Sequence, residues 1–252
     1  MNNIQAVILA GGKGKRLGID APKCMLDLNG KKLIDICIDN LLLNNISEYV
    51  FLLGYKYEIV QEYLVKYNNI KKRYSIDRAK SEEWGKGKAF RYSLDNDAID
   101  KNKPSLITFP DDIISDPFVY ERFIESHMQA KKRYGVIASM MLVLGTRYPY
   151  GVAKLDENNL IYEFEEKPFL TIPTNIGIYI FEPAVYSLAM DVIKLEEPKP
   201  LELENTIIPI LAREKKLNGF TIDADKWIPI NTIKEYEEAQ KRFTISHVTK
   251  TF

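Results

Sequence analysis

The sequence has few of the residues that would mark a disulfide-stabilised or zinc-binding protein. It contains only two cysteines, Cys24 and Cys37, among 252 residues. Two cysteines are too few for a disulfide framework, and a chain of this length can form a hydrophobic core without one. Neither cysteine has a second cysteine or a histidine at zinc-site spacing, which argues against a structural zinc ion. We therefore expect two free thiols in a reducing compartment.

The chain also lacks an excess of charge and a long hydrophobic run. Its 35 basic and 35 acidic residues give a formal net charge of zero, so bulk charge indicates neither a nucleic-acid nor a membrane-surface partner. The apolar run at residues 6–10 is shorter than the roughly 7–15 residues of a signal-peptide core, and no run approaches the roughly 20 residues of a membrane span. We expect a cytoplasmic protein that binds no nucleic acid and no membrane. A homo-oligomer is left open as an alternative to a monomer.

The first half of the chain alternates between strand-like and helix-like segments. Short runs rich in β-branched and aromatic residues predict strands at residues 4–9, 49–53, 70–76 and 105–109. Apolar residues at helical spacing predict helices at 32–43 and 57–67 and a third that begins near Ala89. This alternation predicts a parallel sheet with helices on both faces.

The second half is richer in strands. Strands are predicted at residues 135–144, 151–155, 161–164 and 176–181, with a hairpin turn at 156–159, and further strands lie near Phe220 and Trp227. Helices are predicted at about 201–214 and 233–243. The expected fold class is therefore α/β: a single Rossmann-like three-layer domain over residues 1–252, with a mixed, mainly parallel sheet and a small antiparallel extension.

The most informative segment is glycine-rich and directly follows the first predicted strand. Residues 9–17 read L-A-G-G-K-G-K-R-L, and Pro22 and Lys23 follow. Ligands of open α/β sheets bind at this end of the strands. Glycines allow backbone N–H groups to approach a polyphosphate, Arg16 offers a fork of donors, and Lys23 adds a mobile charge. The segment predicts a triphosphate site that can neutralise charge developing at the α-phosphorus.

Two better-known glycine-rich motifs do not fit this segment. No Gly-Lys-Ser/Thr follows at the spacing of a Walker A loop, and a dinucleotide fingerprint would need glycine where Leu17 stands. The remaining alternative is a glycine-rich turn of an unrelated α/β protein.

Acidic residues follow the strand predicted at 105–109. Carboxylates together with substrate phosphates are typical ligands of Mg²⁺, so we expect Asp111 to hold this cofactor. Asp112 and Asp116 are rival ligands, and a turn or a helix N-cap is the alternative role for either of them.

Residues 9–17 with Pro22 and Lys23 resemble the signature L-A-G-G-x-G-x-R-L/M followed by P-K of the nucleotidyltransferases that make nucleotide sugars. Lys15 stands where the signature usually has threonine. The short gap between Arg16 and Pro22 is similar to that of the N-acetylglucosamine 1-phosphate and molybdopterin branches. The resemblance implies that nucleotide binding involves Leu9, Ala10, Gly11, Gly12, Gly14, Lys15, Arg16, Lys23 and Gly85.

Later segments are similar to the same family. Residues 84–89 are similar to the family motif L-G-T-A/G-x-A, with Lys86 in place of threonine, and residues 109–112 are similar to the corresponding segment of uridylyltransferases that use glucose 1-phosphate. Residues 166–168 match the motif E-K-P, and residues 175–181 are similar to N-A-G-I-Y-V-F. Residues 228–232 form the last segment. In the last segment Pro229 stands where many members have aspartate. Asn231 with Thr232 is instead similar to the molybdopterin branch.

The resemblance implies roles for these positions as well. It places catalysis at Arg16, Lys23 and Asp111 and the metal at Asp111 and Asn231. The sugar-phosphate residues would be Gly151, Glu166, Lys167, Asn175 and Gly177. Simpler readings remain open: a solvated charge pair at 166–167, a strand-start glycine at 151, and a helix N-cap at 231.

The implied reaction is transfer of a nucleoside monophosphate to a sugar 1-phosphate with release of pyrophosphate. Residues up to about 130 would bind the nucleoside triphosphate and the rest the sugar 1-phosphate. UTP with glucose 1-phosphate ranks first. The alternatives are GTP with mannose 1-phosphate, dTTP with glucose 1-phosphate, a CTP-using enzyme, or a non-catalytic sensor of the same fold.

Other residues carry weaker expectations. The aromatic residues Tyr148, Tyr150, Tyr162 and Phe164 could line a sugar pocket, but we favour core packing for them. His127 and His247 have no evident partner in the sequence. The lysines Lys13, Lys15 and Lys88 either extend the phosphate site or are solvated.

Overall fold

The computed structural model describes residues 3–77 and 81–243, with the backbone alone at Arg16 and at 81–83. The helices are α1 (Leu33–Leu43), α2 (Tyr57–Leu64), α3 (Ser81–Asp95), α4 (Val119–Tyr134), α5 (Pro183–Val192), α6 (Leu203–Arg213) and α7 (Ile233–Arg242). The strands are β1 (Gln5–Leu9), β2 (Asp27–Leu28), β3 (Lys31–Lys32), β4 (Glu48–Leu53), β5 (Lys71–Ile76), β6 (Ser105–Thr108), β7 (Asp112–Ile114), β8 (Ala138–Arg147), β9 (Val152–Leu155), β10 (Ile161–Glu165), β11 (Phe169–Phe181), β12 (Leu217–Asp223) and β13 (Trp227–Pro229).

A seven-stranded mixed sheet forms the centre of the fold. Its strand order is β12-β8-β11-β6-β1-β4-β5. The strands β6, β1, β4 and β5 pair in parallel, as do β12 and β8, whereas β11 runs antiparallel to both of its neighbours. Small antiparallel pairs are formed by β9 with β10, β7 with β13, and β2 with β3. The predicted fold class is thereby confirmed.

The pattern along β1 explains the layers of helices on the two faces of this sheet. Ala6 and Ile8 belong to a core that contains α1, α2 and α4, whereas Val7 and Leu9 belong to a core that contains α3, α5 and α6. All four side chains are buried. Because successive strand residues point to opposite faces, an apolar strand needs cover on both sides.

The structure differs from the sequence prediction in several elements. Helices α4 and α5 were not predicted, and β8 and β11 extend beyond their predicted ends. In α4, the buried residues Val119, Tyr120, Phe123, Ile124 and His127 follow helical spacing, so the signal for this helix was present in the sequence. Within residues 3–77 and 81–243, no helix combines the length and the hydrophobicity that crossing a membrane requires.

The hairpin of β9 and β10 corrects one prediction and confirms another. Its turn lies at residues 156–159 as predicted, where the Asp156 carboxylate accepts hydrogen bonds from the backbone amides of Asn158 and Leu160, both at 2.9 Å. The aromatic residues expected in the core are instead exposed: Tyr148 by 40%, Tyr150 and Tyr162 by 67% and Phe164 by 62%. The prediction that these aromatic residues pack in the core was wrong. Alternation of apolar and polar residues predicts a strand, but it does not indicate whether another layer of the protein covers either face of that strand.

The expectation that His127 lacks partners was also wrong. In this buried residue of α4, Nε2 donates to the Glu182 carboxylate at 3.0 Å, and Nδ1 shares a hydrogen bond with the Ser139 hydroxyl at 2.8 Å. Lys131 pairs with the same carboxylate at 2.8 Å. The hydrogen bond from His127, followed by the contact with Lys131, holds the pKa of Glu182 below its usual range. His247 lies outside the described residues.

Candidate functional site

The glycine-rich segment after β1 packs against the chain that follows β4. The amide of Ala10 donates to the Leu52 carbonyl at 2.8 Å, and the amide of Tyr55 donates to the Gly11 carbonyl at 3.0 Å. A Cβ atom on Gly11 would lie 3.1 Å from the Gly54 nitrogen. The close approach of the two loops therefore favours glycine at position 11.

The same segment positions the backbone of Lys23. Gly14 adopts a left-handed conformation with a φ of 46° and begins the 3-10 turn Lys15–Leu17. The amide of Lys23 then donates to the Gly12 carbonyl at 3.0 Å. This hydrogen bond returns the chain to the loop, so the lysine predicted by the P-K motif lies at the phosphate segment. The side chain of Arg16 lies outside the described part of the structure.

The side chain of Lys23 connects the two residues that the sequence assigned to a metal. Its ammonium group forms a short ion pair with the Asp111 carboxylate and donates to the Asn231 side-chain oxygen at 3.0 Å. One positive charge thus contacts both oxygens, although the two residues are far apart in the chain. The structure brings Lys23, Asp111 and Asn231 together.

A short strand pair explains how Asn231 reaches Asp111. Strands β7 and β13 pair with Pro229 opposite Asp112, and the amide of Ile230 donates to the Asp111 carbonyl at 2.9 Å. The N-cap of α7 is Thr232, which forms a capping box with Glu235. Capping therefore does not require the Asn231 side chain, and its oxygen faces Lys23.

The other two acidic candidates have different surroundings. Asp112 accepts a hydrogen bond from the indole nitrogen of Trp227 at 2.9 Å. Burial, and then the neighbouring Asp111 charge, raises the pKa of Asp112 to about 7. Asp116 forms an ion pair with Arg122 and accepts from the amide of Phe118 at 3.1 Å, which is the turn role that the sequence left open.

Most of the predicted residues line one cavity of about 710 Å³. These are Leu9, Ala10, Gly11, Gly12, Gly14, Lys15, Lys23, Gly85, Asp111, Asn175, Gly177 and Asn231. A cavity of this size suits a small-molecule ligand. The nucleotide, metal and part of the sugar-phosphate assignments therefore converge on a single site.

Three predicted sugar-phosphate residues lie elsewhere, at the base of the β9–β10 hairpin. A Cβ on Gly151 would lie 2.8 Å from the Glu166 carboxylate, and Lys167 lies beside it with its ammonium 3.8 Å from the same group. The side chains of Glu166 and Lys167 are both 61% exposed. Among the described residues that line the cavity, none of these three is present.

Gly85 is held by a contact with the chain before α6. It interrupts α3 with a φ of 72°, and a Cβ at this position would lie 2.5 Å from the Leu201 carbonyl oxygen. The amide of Gly87 donates to that same carbonyl at 2.7 Å, and the amide of Leu201 donates to the Trp84 carbonyl at 3.0 Å. This contact brings Gly85 and Lys86 together with Glu202 and Glu204 on one wall of the cavity.

The sequence did not predict the acidic residues of this wall. Glu202 accepts from the amide of Lys86 at 3.1 Å, and Glu204 forms a short ion pair with the Lys86 ammonium. The Tyr179 hydroxyl donates to Glu204 at 3.0 Å. No motif marked these glutamates, because their place in the cavity depends on the contact between α3 and α6. Lys88 is buried and donates to the Glu197 carbonyl, so neither sequence-based alternative for Lys88 holds.

The metal-binding capacity of the site is limited to a few oxygens. Across the residues that the structure describes, no group of three His, Cys, Asp or Glu side chains could hold a metal ion. A cation at Asp111 and Asn231 would therefore need further ligands from a substrate. This is the usual arrangement for Mg²⁺ at phosphate sites.

Comparison with known proteins gives a consistent result. The family described as nucleotidyl transferase matches residues 5–245. A glucose-1-phosphate adenylyltransferase of Thermosipho melanesiensis is 27% identical over 97% of this chain, and a mannose-1-phosphate guanyltransferase of Schizosaccharomyces pombe is 28% identical over 92%. The chain spans 62% of the length of each of these relatives.

Solved structures share the fold at lower identity. A protein from Bacillus anthracis in complex with a sucrose, provisionally assigned as a glucose-1-phosphate thymidylyltransferase, superposes with a TM-score of 0.72 at 21% identity, covering 94% of both chains. HddC from Yersinia pseudotuberculosis, complexed with GMP-PN, gives 0.67 at 22% identity, covering 95% of this chain and 99% of that one. With a family match over nearly its whole length, the chain belongs to the nucleotidyl transferase family.

Proposed function

We propose that the protein transfers a nucleoside monophosphate from a nucleoside triphosphate to a sugar 1-phosphate and releases pyrophosphate. A phosphate oxygen of the sugar 1-phosphate attacks the α-phosphorus and forms a new P–O bond. The bond from the α-phosphorus to the oxygen that bridges it to the β-phosphorus breaks, and pyrophosphate leaves. The attacking oxygen is already anionic, so the reaction needs no general base.

The observation that carries this proposal is the meeting of Lys23, Asp111 and Asn231 beside the glycine-rich segment. Two substrates that both carry phosphate repel each other, so the protein has to align them and neutralise their charge. The backbone of residues 11–14 is suited to the triphosphate. The backbone of Lys23 is hydrogen-bonded to Gly12, and its ammonium is proposed to stabilise negative charge at the α-phosphate.

The residues present fit a magnesium ion. The carboxylate of Asp111 and the amide oxygen of Asn231 already contact one cationic group, the Lys23 ammonium, and oxygens of these two kinds are preferred by hard cations. Asp111 and Asn231 would hold Mg²⁺, which would supply neutralisation of the substrate phosphates.

Some of the predicted sugar-phosphate residues line the cavity, and the others lie at the base of the β9–β10 hairpin, so only the first group supports the proposal by its position. Asn175 and Gly177 line the same cavity as Lys23. Gly151, Glu166 and Lys167 lie on the hairpin base, and their role stays a prediction from the sequence. As in the sequence analysis, Arg16 is proposed to bind the triphosphate.

The nucleotide and the sugar are open to direct test. The sequence ranks UTP with glucose 1-phosphate first, whereas the curated relatives are named for adenylyl transfer to glucose 1-phosphate and guanylyl transfer to mannose 1-phosphate. A panel should therefore cross UTP, ATP, GTP, dTTP and CTP with both sugar phosphates. Pyrophosphate release in the presence of Mg²⁺ is the readout.

The proposal expects one nucleotide and sugar pair to release pyrophosphate well above the rest, and only when both substrates are present. Binding of a triphosphate, detected by thermal shift, without pyrophosphate release from any pair would contradict it. That result would instead favour the non-catalytic sensor.

A further inference from the structure

We infer that two copies of this chain form a dimer through one face of the β9–β10 hairpin, the apolar face formed by Ala153, Leu155, Ile161 and Phe164. Among the described residues that line the cavity, none belongs to this hairpin. The inference therefore goes beyond the proposed reaction and does not depend on it. The two hairpins would pack against each other, apolar face to apolar face, across a twofold axis.

The pairing register places these four side chains on the same side of the hairpin. Leu155 lies opposite Ile161, and Ala153 lies opposite Phe164. Residues directly opposite each other in an antiparallel pair share a face, and successive residues alternate between faces. The register shifts between residues 161 and 163, which makes Tyr162 an extra residue and keeps Ile161 on the same side as Phe164.

The opposite face of the hairpin is mostly charged. Lys154 lies opposite Glu163 and forms an ion pair with it at 2.8 Å, and Val152 lies opposite Glu165. Antiparallel sheets commonly have one apolar face that packs on other parts of the protein and one polar face in solvent. The hairpin has this division, so its apolar face is the one that should be covered.

Within a single chain, however, the apolar face is exposed. Leu155 is exposed by 54% and Ile161 by 62%. Among the described strands, β9 and β10 pair only with each other. A hairpin of two strands is marginally stable in water by itself, so it gains order from any surface that covers its apolar side.

The exposed apolar area of the hairpin is large enough for a stable dimer. Six of its large apolar side chains are exposed by between 54% and 67%: Tyr150, Leu155, Leu160, Ile161, Tyr162 and Phe164. Each then leaves roughly 100 Å² open to solvent, or about 600 Å² per copy. This area lies at the upper end of the range for the largest apolar patch of a monomer, about 300–600 Å². Two copies would bury about 1,200 Å², the lower bound for specific, stable interfaces.

The composition of the hairpin favours a second copy as the partner. Permanent interfaces are more apolar than transient ones, and their centres contain few charges and many aromatic residues. A second copy is always present to cover the face, and twofold dimers are the commonest oligomers. Packing the apolar faces together leaves Glu163 and Glu165 of both copies on the outside. These negative charges also argue against an anionic membrane surface as the partner.

Sedimentation equilibrium at protein concentrations from about 0.1 to 100 μM, which bracket a micromolar Kd, tests the inference. With rising concentration, the mass of the wild type should approach twice the 29.1 kDa of one chain. Leu155→Lys and Ile161→Lys each place a charge on the apolar face. Each variant should raise the Kd of the dimer by at least about 30-fold, the effect of losing a residue that dominates an interface.

Val152→Lys is the matched control. It introduces the same side chain into the same hairpin, but on the charged face and opposite Glu165, where opposite charges attract. Its dimer Kd should stay within about 3-fold of the wild-type value, because substitutions outside an interface have small effects.

Hydrogen exchange separates loss of the dimer from loss of the fold. The backbone amides of β9 and β10 should exchange more slowly in the wild-type dimer than in Leu155→Lys and Ile161→Lys. The amides of β1, which is buried along its whole length, should remain protected in all of these proteins, which shows that the variants are folded.

Two results would overturn the inference. Wild-type protein with the mass of one chain at every concentration would exclude the dimer, and protected hairpin amides in that monomer would show that the same chain covers the apolar face. A dimer that Leu155→Lys and Ile161→Lys leave intact would place the contact on another surface. None of these measurements uses turnover, so failure of the proposed reaction would leave them unaffected.

Discussion

The backbone amide of Ile230 donates to the carbonyl of Asp111 at 2.9 Å, and this hydrogen bond joins two loops that are more than one hundred residues apart in the chain. It continues the pairing of β7 with β13 and brings Asn231 to the side of the Lys23 ammonium that Asp111 also contacts. The proposed reaction depends on this arrangement, so its residues should differ sharply from their neighbours in the effect of substitution.

The carboxylate of Asp111 should be essential for turnover. Asp111→Asn removes the charge that would hold Mg²⁺ and orient Lys23, and we expect a loss of about 100-fold or more in kcat, equivalent to about 2.7 kcal/mol. The measurement is pyrophosphate release at several Mg²⁺ concentrations. Asp116→Asn, whose carboxylate pairs with Arg122, is the control and should stay within about 3-fold of the wild type. Near-equal activity of the two variants would exclude Asp111 as a metal ligand.

Asn231 and Thr232 are adjacent but should have different roles. Asn231→Ala should lower turnover by about 10- to 100-fold and raise the Mg²⁺ concentration needed for half-maximal activity. Thr232→Ala removes the N-cap of α7 and should cost about 1 kcal/mol of stability with little effect on turnover. Urea unfolding and a Mg²⁺ titration of activity give both quantities. The opposite pattern would assign Asn231 a structural role.

Substitution of Gly85 should lower the stability of the protein, whereas substitution of Gly12 should weaken triphosphate binding. Gly85→Ala places a Cβ 2.5 Å from the Leu201 carbonyl oxygen at a φ of 72°, so the free energy of unfolding should fall by about 2 kcal/mol or more. A Cβ on Gly12 would meet nothing within 4 Å. Gly12→Ala should therefore keep its Tm within about 2 °C of the wild type. It should weaken triphosphate binding, because the added Cβ would keep the phosphates farther from the backbone N–H groups of this segment. Thermal unfolding with and without triphosphate tests both expectations. A Gly85→Ala variant as stable as the wild type would contradict the first, because it would show that the backbone at Leu201 can move to accommodate the Cβ.

The Glu182 carboxylate should make stability depend on pH. Its pKa is held below the usual value of 4.5, mainly by the hydrogen bond from His127. The ionised carboxylate therefore contributes stability above about pH 4.5, and the contribution is lost as the pH falls through the lowered pKa.

Glu182→Gln should accordingly lower the free energy of unfolding by about 1–3 kcal/mol at pH 7, and the difference from the wild type should shrink toward pH 3. Urea unfolding at a series of pH values measures this difference. Glu196→Gln, at an exposed position, is the control. A difference that grew as the pH fell would contradict the sign of the pKa shift.

The parts of the site that follow single strands were readable from the sequence. The glycine-rich segment and Asp111 each follow a buried strand, and the ends of parallel strands meet at one edge of the sheet. Lys23 was predicted from the Pro-Lys pair that comes shortly after the glycine-rich segment. Asn231 was predicted by resemblance alone. The structure supplies the physical reason for its place, which is the β7–β13 pair.

The parts that depend on contacts between distant elements were not readable. Glu202 and Glu204 enter the wall because α6 begins beside residues 84–87, and no periodicity reports such a contact. Ser139 and Glu182 reach His127 from other elements for the same reason. The alternating pattern of β9 and β10 predicted both strands correctly, but it does not say whether a second layer covers them, which is why Tyr150 and Tyr162 were misplaced.

The most direct test of nucleotidyl transfer at Lys23 follows two phosphorus labels through one turnover. Wild-type protein and Lys23→Met are incubated with Mg²⁺, the active sugar 1-phosphate and triphosphate labelled at either the α- or the γ-phosphorus. We predict that the wild type places the α-label in the nucleotide sugar and the γ-label in pyrophosphate, and that Lys23→Met binds triphosphate but transfers about 100-fold less label. Release of the γ-label as orthophosphate, or equal transfer by the wild type and Lys23→Met, would contradict the account.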